Sequence, residues 1–67
     1  MKLYKVTWYT KENGFVNDHS WQCAAETAKA ARQRFDEKTA FLDRTAAKIG
    51  KKNAHRFGVT VRLVDQA

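Results

Sequence analysis

The chain has 67 residues, of which 43% are hydrophobic and 30% charged, and its formal net charge at pH 7 is +6. A chain of this length forms one domain, here residues 1–67, with a marginal core that buries about 60% of the unfolded surface. No stretch approaches the roughly 18 apolar residues of a membrane span. The positive charge favours an anionic partner such as nucleic acid or an acidic protein surface.

Cysteine usage indicates a reducing compartment. Cys23 is the only cysteine, and a cysteine between Trp21-Gln22 and Ala24 is typical of a small buried residue rather than a nucleophile. Met1-Lys2 leads into an alternating segment without an apolar leader. We therefore expect a cytoplasmic protein.

Two strands are predicted on either side of a tight turn. Residues 3–10 and 15–23 alternate between apolar and polar positions, and Asn13-Gly14 between them is typical of a type I′ hairpin turn. Folding about this dipeptide pairs residues whose numbers sum to 27, which places Val6 opposite Trp21 and Trp8 opposite His19. The apolar set then shares one face, as a correct register requires. Asn17, Asp18 and Ser20 weaken the second strand and suggest a bulge or an edge there.

One amphipathic helix is predicted after the hairpin. Small or apolar residues recur there at steps of three or four and form one helical stripe. The stripe consists of Ala24, Ala28, Ala31, Phe35, Thr39, Leu42, Ala46 and Ile49. We expect the helix to begin near Ala25 or Thr27 and to end at Gly50, a C′ glycine in the left-handed conformation.

The length of this helix leaves two alternatives open. A helix of about 25 residues spans roughly 37 Å, whereas a strand of about eight residues spans roughly 26 Å. We favour one continuous or mildly bent helix that overshoots the sheet and leaves Phe41 exposed. In the alternative, the helix breaks over 38–40 with Thr39 as a new N-cap, and Phe41 becomes a core residue.

A third strand is predicted over 57–64, after a loop at 51–53. Its inward positions are Phe57, Val59, Val61 and Leu63, and its outward positions are Thr60, Arg62 and Val64. The order ββαβ then gives an α+β fold: a three-stranded sheet in the order 2-1-3, with strand three antiparallel to strand one and the helix on one face.

No catalytic or metal-binding pattern emerges. Asp18-His19-Ser20 contains the residue types of a nucleophilic triad, but neighbours in a strand point to opposite faces and cannot form a relay. We expect His19 to cover the aromatic face beside Trp8. His55 and Cys23 lack metal-ligand spacing, and the three glycines stand alone. We therefore expect a non-enzymatic protein without a cofactor.

Nearly all of the excess positive charge lies between residues 44 and 56. Residues 1–43 carry seven Lys or Arg against six acids. The segment from 44 to 56 has no acid, and its cations are Arg44, Lys48, Lys51, Lys52 and Arg56. Such cations also complement a helix C-terminus and keep a domain soluble. Because the remainder is nearly neutral, we predict that part of this cluster contacts an anionic partner, in a salt-sensitive way if that partner is a phosphate backbone.

Two other surfaces are weaker candidates. The sheet face away from the helix carries Lys5, Tyr9, Thr60 and Arg62. It combines one aromatic with positive charge, as sheet-based single-strand binders do, although an ordinary solvated face explains it more simply. Phe41 lies among Arg34, Lys38, Arg44 and Lys48 and is a natural anchor for a partner if it is exposed.

The run Trp21-Gln22-Cys23-Ala24-Ala25-Glu26-Thr27-Ala28-Lys29, a strand that leads into a Glu/Ala/Lys helix, carries a resemblance. It resembles small ββαβ proteins of phages and mobile elements, including some anti-CRISPR inhibitors, and more loosely the arm-binding domains of integrases. Integrase arm domains usually have three strands before the helix, so their DNA contacts are not transferred to this chain. The resemblance implies binding without catalysis to a nucleic-acid-handling machine of a host.

We therefore expect a small basic binding protein, an inhibitor or accessory factor of the anti-CRISPR type, that docks on a nucleic-acid-handling complex. The alternative is a module that contacts nucleic-acid phosphates directly. A self-associating structural protein is the third hypothesis.

Overall fold

A computed structural model describes residues 1–66 of the chain. They form an antiparallel three-stranded sheet and one helix, which are β1 (Lys2–Glu12), β2 (Phe15–Ala25), α1 (Ala28–Lys48) and β3 (Phe57–Gln66). The sheet order is β2-β1-β3, so β1 is central, and α1 covers one face. The predicted α+β fold and its strand order are confirmed.

The β1–β2 hairpin follows the predicted register. Asn13 and Gly14 have φ of 52° and 82°, the two positive angles that a type I′ turn requires. Pairing runs without a shift from Lys2 opposite Ala25 to Glu12 opposite Phe15, so every pair sums to 27 as predicted. Of the two alternatives for residues 17–20, the bulge is absent and the edge is confirmed, because β2 is an edge strand of the sheet. Both strands extend beyond the predicted 3–10 and 15–23.

The pairing of β3 with β1 contains a bulge that the sequence pattern did not predict. Thr7 pairs with Thr60 and Tyr9 with Phe57, so Trp8 alone stands opposite two residues of β3. One of these is Gly58, whose φ of 60° lies in the left-handed region that glycine adopts without steric cost. The extra residue reverses the inside-outside alternation. The prediction that Phe57 faces inward is therefore wrong, and Phe57 lies beside Tyr9 on the face away from α1.

Both ends of α1 are capped by local hydrogen bonds. Thr27 is the N-cap, and its Oγ1 accepts from the backbone N–H of Ala30 at 3.1 Å. At the other end, Gly50 has φ of 74°, and its N–H donates to the Ala47 carbonyl. The N–H of Lys51 donates to the Ala46 carbonyl at 2.9 Å, which completes a Schellman motif. The predicted end at Gly50 and the start at Thr27 are confirmed, whereas the alternative start at Ala25 is wrong because Ala25 belongs to β2.

The helix is one uninterrupted element through residues 38–40. Thr39 does not cap a second helix, because its Oγ1 donates to the carbonyl of Asp36 inside the helix at 3.1 Å. The two-helix alternative is wrong. The expected overshoot is wrong as well: α1 has 21 residues and spans about 31 Å, whereas β1 has 11 residues and spans about 36 Å.

The core lies between the first half of α1 and the sheet. Ala31 is fully buried against Tyr4 and Ala25, and its small side chain lets the helix approach the sheet closely. Phe35 packs against the rings of Trp8 and Trp21, at centroid distances of 4.9 and 6.2 Å. Each buried aromatic removes about 150–250 Å² from water, which makes this cluster the main apolar contribution to stability.

The second half of α1 is less well covered. Leu42 and Ile49 continue the predicted stripe, yet 42% and 69% of their surfaces remain exposed. A cleft of about 410 Å³ opens there between α1 and the hairpin, and Thr10, His19 and Leu42 are among the residues that line it. Of the predicted stripe, only Ala31 and Phe35 are buried, and the placement of Ala24 on the helix is wrong because it belongs to β2.

The bulge glycine provides a stability test. A Cβ added to Gly58 would lie 3.0 Å from Cε1 of Tyr9, whereas one added to Gly14 would meet nothing within 4 Å. Both residues have positive φ, so either alanine substitution costs about 1–2 kcal/mol in backbone energy. We expect Gly58→Ala to lower the free energy of unfolding by more than Gly14→Ala does. Urea denaturation of the two variants measures this difference, and equal losses would contradict a tight Tyr9–Gly58 contact.

Candidate functional site

The sheet face away from α1 carries an aromatic pair. The rings of Tyr9 and Phe57 are stacked with 5.4 Å between centroids and 16° between planes. The ammonium group of Lys11 lies 5.2 Å from the Phe57 centroid, and the His55 ring approaches Phe57 edge-on at 4.6 Å. Sequence reasoning missed Phe57 as a member of this face. The available signal was Gly58, because a glycine inside a strand pattern suggests a bulge.

Tyr9 is held in place by two residues of β3. Its Cδ1–Cε1 edge lies against the backbone of Gly58, where a Cβ would come within 3.0 Å, and Phe57 stacks on it from β3. On the side of β2, Tyr9 borders a shallow concavity that Phe57 does not line. The ring is therefore fixed by the protein on one side and accessible from the other.

Cations surround this aromatic pair. Lys5 lies directly opposite Arg62 on the central and edge strands, and between them and Tyr9 the hydroxyls of Thr7 and Thr60 share a 2.8 Å hydrogen bond. Within residues 1–66, the ion pairs are Arg32–Asp36 and Arg56–Asp43, so neither Lys5 nor Arg62 is in an ion pair. We call the set Lys5, Tyr9, Lys11, Phe57 and Arg62 the open-face site.

The predicted basic cluster is divided by Asp43. Both terminal nitrogens of Arg56 donate to the carboxylate of Asp43 at 3.2 Å, and Nδ2 of Asn53 donates to it at 2.9 Å. Only 20% of the Arg56 side chain is exposed. Arg56 therefore joins the loop to α1 through a bidentate ion pair. Sequence reasoning missed this pair because the cluster was counted from Arg44, one residue after Asp43.

The same contacts change the acidity of Asp43. The hydrogen bond from the Arg56 guanidinium, with a second from the amide of Asn53, lowers the pKa of the Asp43 carboxyl below its ordinary value of 3.8. These donors favour the ionised form, since each bond is stronger to a carboxylate than to a protonated acid.

The other predicted cations remain available. Arg44, Lys48, Lys51 and Lys52 are exposed, and none of them enters an ion pair within the part of the chain that the structure describes. The Schellman motif and the Asp43 contacts hold the backbone that carries them. We call these four residues the basic patch.

Phe41 lies on the other flank of α1. It is 61% exposed, as expected for a continuous helix, and shares a depression with Trp21, Arg34 and Lys38. The ammonium group of Lys38 lies 5.5 Å from the Trp21 ring centroid. Because Trp21 belongs to β2 whereas Asp43 contacts the segment before β3, the predicted site residues Phe41 and Arg56 face different sides of the molecule.

His19 has the predicted structural position. Its ring stacks on Trp8 at 5.5 Å, and its Nε2 is 2.9 Å from Oγ1 of Thr10. Among the described residues, no group of three His, Cys, Asp or Glu side chains is placed to hold a metal ion. No helix in residues 1–66 has the length and apolar character needed to cross a membrane.

Comparison with known proteins finds no family model, no curated protein and no solved structure that matches this chain. The resemblance to phage and mobile-element proteins therefore stays a prediction.

The Asp43 contacts predict a pH-dependent contribution to stability. Because the folded pKa of Asp43 is lowered, its stabilising effect is fully present above the unfolded pKa and is lost as pH falls through the folded value. Half of the Asp43 side chain is exposed, so Asp43→Asn should lower the free energy of unfolding at pH 7 by no more than about 1 kcal/mol. The difference from the unsubstituted protein should disappear well below pH 3.8, the ordinary value for this carboxyl.

Chemical denaturation across the acid range measures this effect. Asp36→Asn is the matched control, because the carboxylate of Asp36 accepts only one hydrogen bond, from Arg32 within the same helix. Its substitution should cost about 0.3–0.5 kcal/mol, typical of an exposed pair one helical turn apart. If the free energies of unfolding of Asp43→Asn and the unsubstituted protein differed by the same amount at every pH, the stabilising role of the ionised Asp43 carboxylate would be contradicted.

Proposed function

We propose that this chain is a small non-catalytic protein that binds single-stranded nucleic acid, with bases stacked on the open-face site and phosphates contacted by the surrounding cations. The position of Phe57 beside Tyr9, with 5.4 Å between the ring centroids, gives this proposal its main support. A single aromatic on a solvated sheet face needs no functional explanation. Two adjacent aromatics with Lys5, Lys11 and Arg62 around them match the combination that single-strand binders use.

Stacking explains why single strands rather than duplexes are the expected ligand. Every base has a π face, and stacking on an aromatic side chain contributes about 1–3 kcal/mol per base. In a duplex those faces are occupied by neighbouring base pairs. Phosphate contacts alone would not distinguish the two forms, because both carry the same charged backbone. The aromatic pair therefore provides the selectivity for single strands over duplexes.

The cations provide a path for the backbone. His55 contacts Phe57, so the segment that leads into β3 adjoins the aromatic pair, and Lys51 and Lys52 lie four and three residues before His55 in the same loop. A strand that leaves the open-face site along this segment approaches the basic patch. Each phosphate neutralised by a lysine or arginine releases counterions, so affinity should fall as salt rises, by about 0.7 in log–log slope per contact for single strands.

Tyr9 supplies the stacking surface of the open-face site. Tyr9→Ala removes the stacking surface and should weaken binding of a fluorescein-labelled oligothymidylate by about 5- to 150-fold, the equivalent of one lost base stack. Fluorescence anisotropy at low salt measures the affinity. Repeating the titration at several salt concentrations gives the number of phosphate contacts.

Phe41→Ala is the matched control for this experiment. It also truncates an exposed aromatic, but on the helix flank away from the open-face site. It should leave affinity unchanged, while circular dichroism checks that both variants are folded. Equal weakening by both substitutions, or no binding by the unsubstituted protein at low salt, would refute the proposal.

A second candidate is an inhibitor or accessory factor, of the anti-CRISPR type found in phages and mobile elements, that docks on a nucleic-acid-handling complex in the cytoplasm. The exposure of Phe41 favours it, because this ring and Trp21 line one depression that arginine and lysine flank. Aromatic and arginine side chains are enriched at binding hot spots. The basic patch would then face an acidic protein surface.

Affinity capture from host lysate tests this candidate directly. The expected result is a partner that is retained after nuclease treatment and lost when Lys48→Glu and Lys51→Glu are combined or when Phe41→Ala is introduced. Lys29→Glu, in the first turn of α1, is the charge control and should leave capture intact. Capture that disappears with nuclease would instead support direct nucleic-acid binding.

A further inference from the structure

The concavity next to Tyr9 has its own set of polar groups. Its volume is about 440 Å³, within the range of ligand sites, and it opens on the face of the sheet away from α1. The side chains on that face that line it are Lys5, Thr7, Tyr9, Asp18 and Ser20, with Gly58 at the edge. It therefore combines one aromatic ring with a carboxylate, a cation and two hydroxyls.

Asp18 is the unusual member of this set. It pairs directly with Tyr9 across β1 and β2, and directly opposed side chains have Cβ atoms about 4.5–5.5 Å apart. The Asp18 side chain is exposed and makes no hydrogen bond or ion pair with another described residue, although Lys5 lines the same concavity. An unpartnered carboxylate therefore stands beside the accessible side of an aromatic ring.

A planar base stacked on Tyr9 would direct one edge at this carboxylate. An ionised carboxylate only accepts hydrogen bonds, and it accepts two parallel ones best. Guanine presents two adjacent donors on its Watson–Crick edge, the ring N–H and the exocyclic amino group. Adenine and cytosine present one amino group next to an acceptor nitrogen, and thymine and uracil present one N–H between two carbonyls. The carboxylate thus matches guanine and disfavours the others.

We infer that the concavity is a guanine subsite, in which Tyr9 stacks the base and Asp18 accepts from its Watson–Crick edge. This inference depends on the proposed binding of single strands, because that edge is free only when the base is unpaired. Lys5 lies at the border of the concavity, where it can contact the phosphate of the same nucleotide. The open-face site then recognises one guanine specifically and binds the adjacent nucleotides without sequence preference.

Oligothymidylates with one central substitution test the subsite. The substituted base is guanine, adenine or hypoxanthine, which is guanine without its exocyclic amino group. A bidentate contact with a base edge contributes about 1–3 kcal/mol of discrimination, so guanine should bind at least fivefold tighter than adenine. Hypoxanthine should fall between them because it keeps one of the two donors.

Asp18→Asn provides the decisive variant. The amide has the same shape but replaces one acceptor with a donor, so guanine and adenine should then bind equally. Affinity for plain oligothymidylate should stay the same or rise, because the substitution also removes a negative charge that repels phosphates. Asp36→Asn, a carboxylate on α1 far from the concavity, should keep the guanine preference. Circular dichroism verifies folding, which Asp18→Asn should not disturb because the exposed Asp18 side chain makes no hydrogen bond to another described residue.

The outcomes separate this inference from the proposed function. Equal affinity of the unsubstituted protein for all oligonucleotides would overturn the guanine subsite and leave single-strand binding intact. Absence of binding to every oligonucleotide would overturn both. Guanosine monophosphate is the arm for a free nucleotide: it should bind at least about tenfold more weakly than the guanine oligonucleotide because it lacks flanking phosphates. Equal affinity for guanosine monophosphate and the guanine oligonucleotide would show that the ligand is a free nucleotide and would overturn the assignment of the subsite to a nucleic-acid strand.

Discussion

A single helix can bury only one face of a three-stranded sheet, and the packing of Phe35 against Trp8 and Trp21 determines which face that is. Ala31 allows the close approach, and the fixed hairpin register places both tryptophans on the same side. Everything on the other side of β1 must then remain in water. The open-face site is therefore a direct consequence of how this small core is built.

The bulge at Gly58 decides what that open face contains. Without the extra residue, Phe57 would turn toward α1, and Tyr9 would be the one aromatic on its face of β1. With it, the two rings stack, and Tyr9 also covers the exposed backbone of the glycine. An aromatic over a glycine on the neighbouring strand stabilises a sheet by itself. Structural and binding roles thus meet in one side chain, which makes a folding check necessary for any Tyr9 variant.

Much of the fold could be predicted because its determinants are local. Asn13-Gly14 sets the turn, the turn sets the register, and Thr27 and Gly50 end the helix through contacts within a few residues. The site could be predicted only in part. The orientation of Phe57 toward Tyr9 depends on the bulge at Gly58. The alternating pattern of apolar and polar residues does not distinguish Gly58 from an ordinary strand residue. The pairing of Arg56 with Asp43 depends on where a loop returns, 13 residues along the chain, which spacing does not reveal.

The same loop contact also bears on the four cations of the basic patch. Asp43 takes up the charge of Arg56 and fixes the loop, so the basic patch is not required to make the loop fold. Lys48 in the last helical turn, and Lys51 just beyond it, lie at the negative end of the helix dipole, which offsets part of their mutual repulsion. This dipole effect extends over about one turn and does not apply to Lys5 or Arg62 on the sheet. Lys5 and Arg62 form no ion pair among the described residues, although the exposed carboxylate of Asp18 lines the same concavity as Lys5. An anionic ligand would give both cations a direct partner.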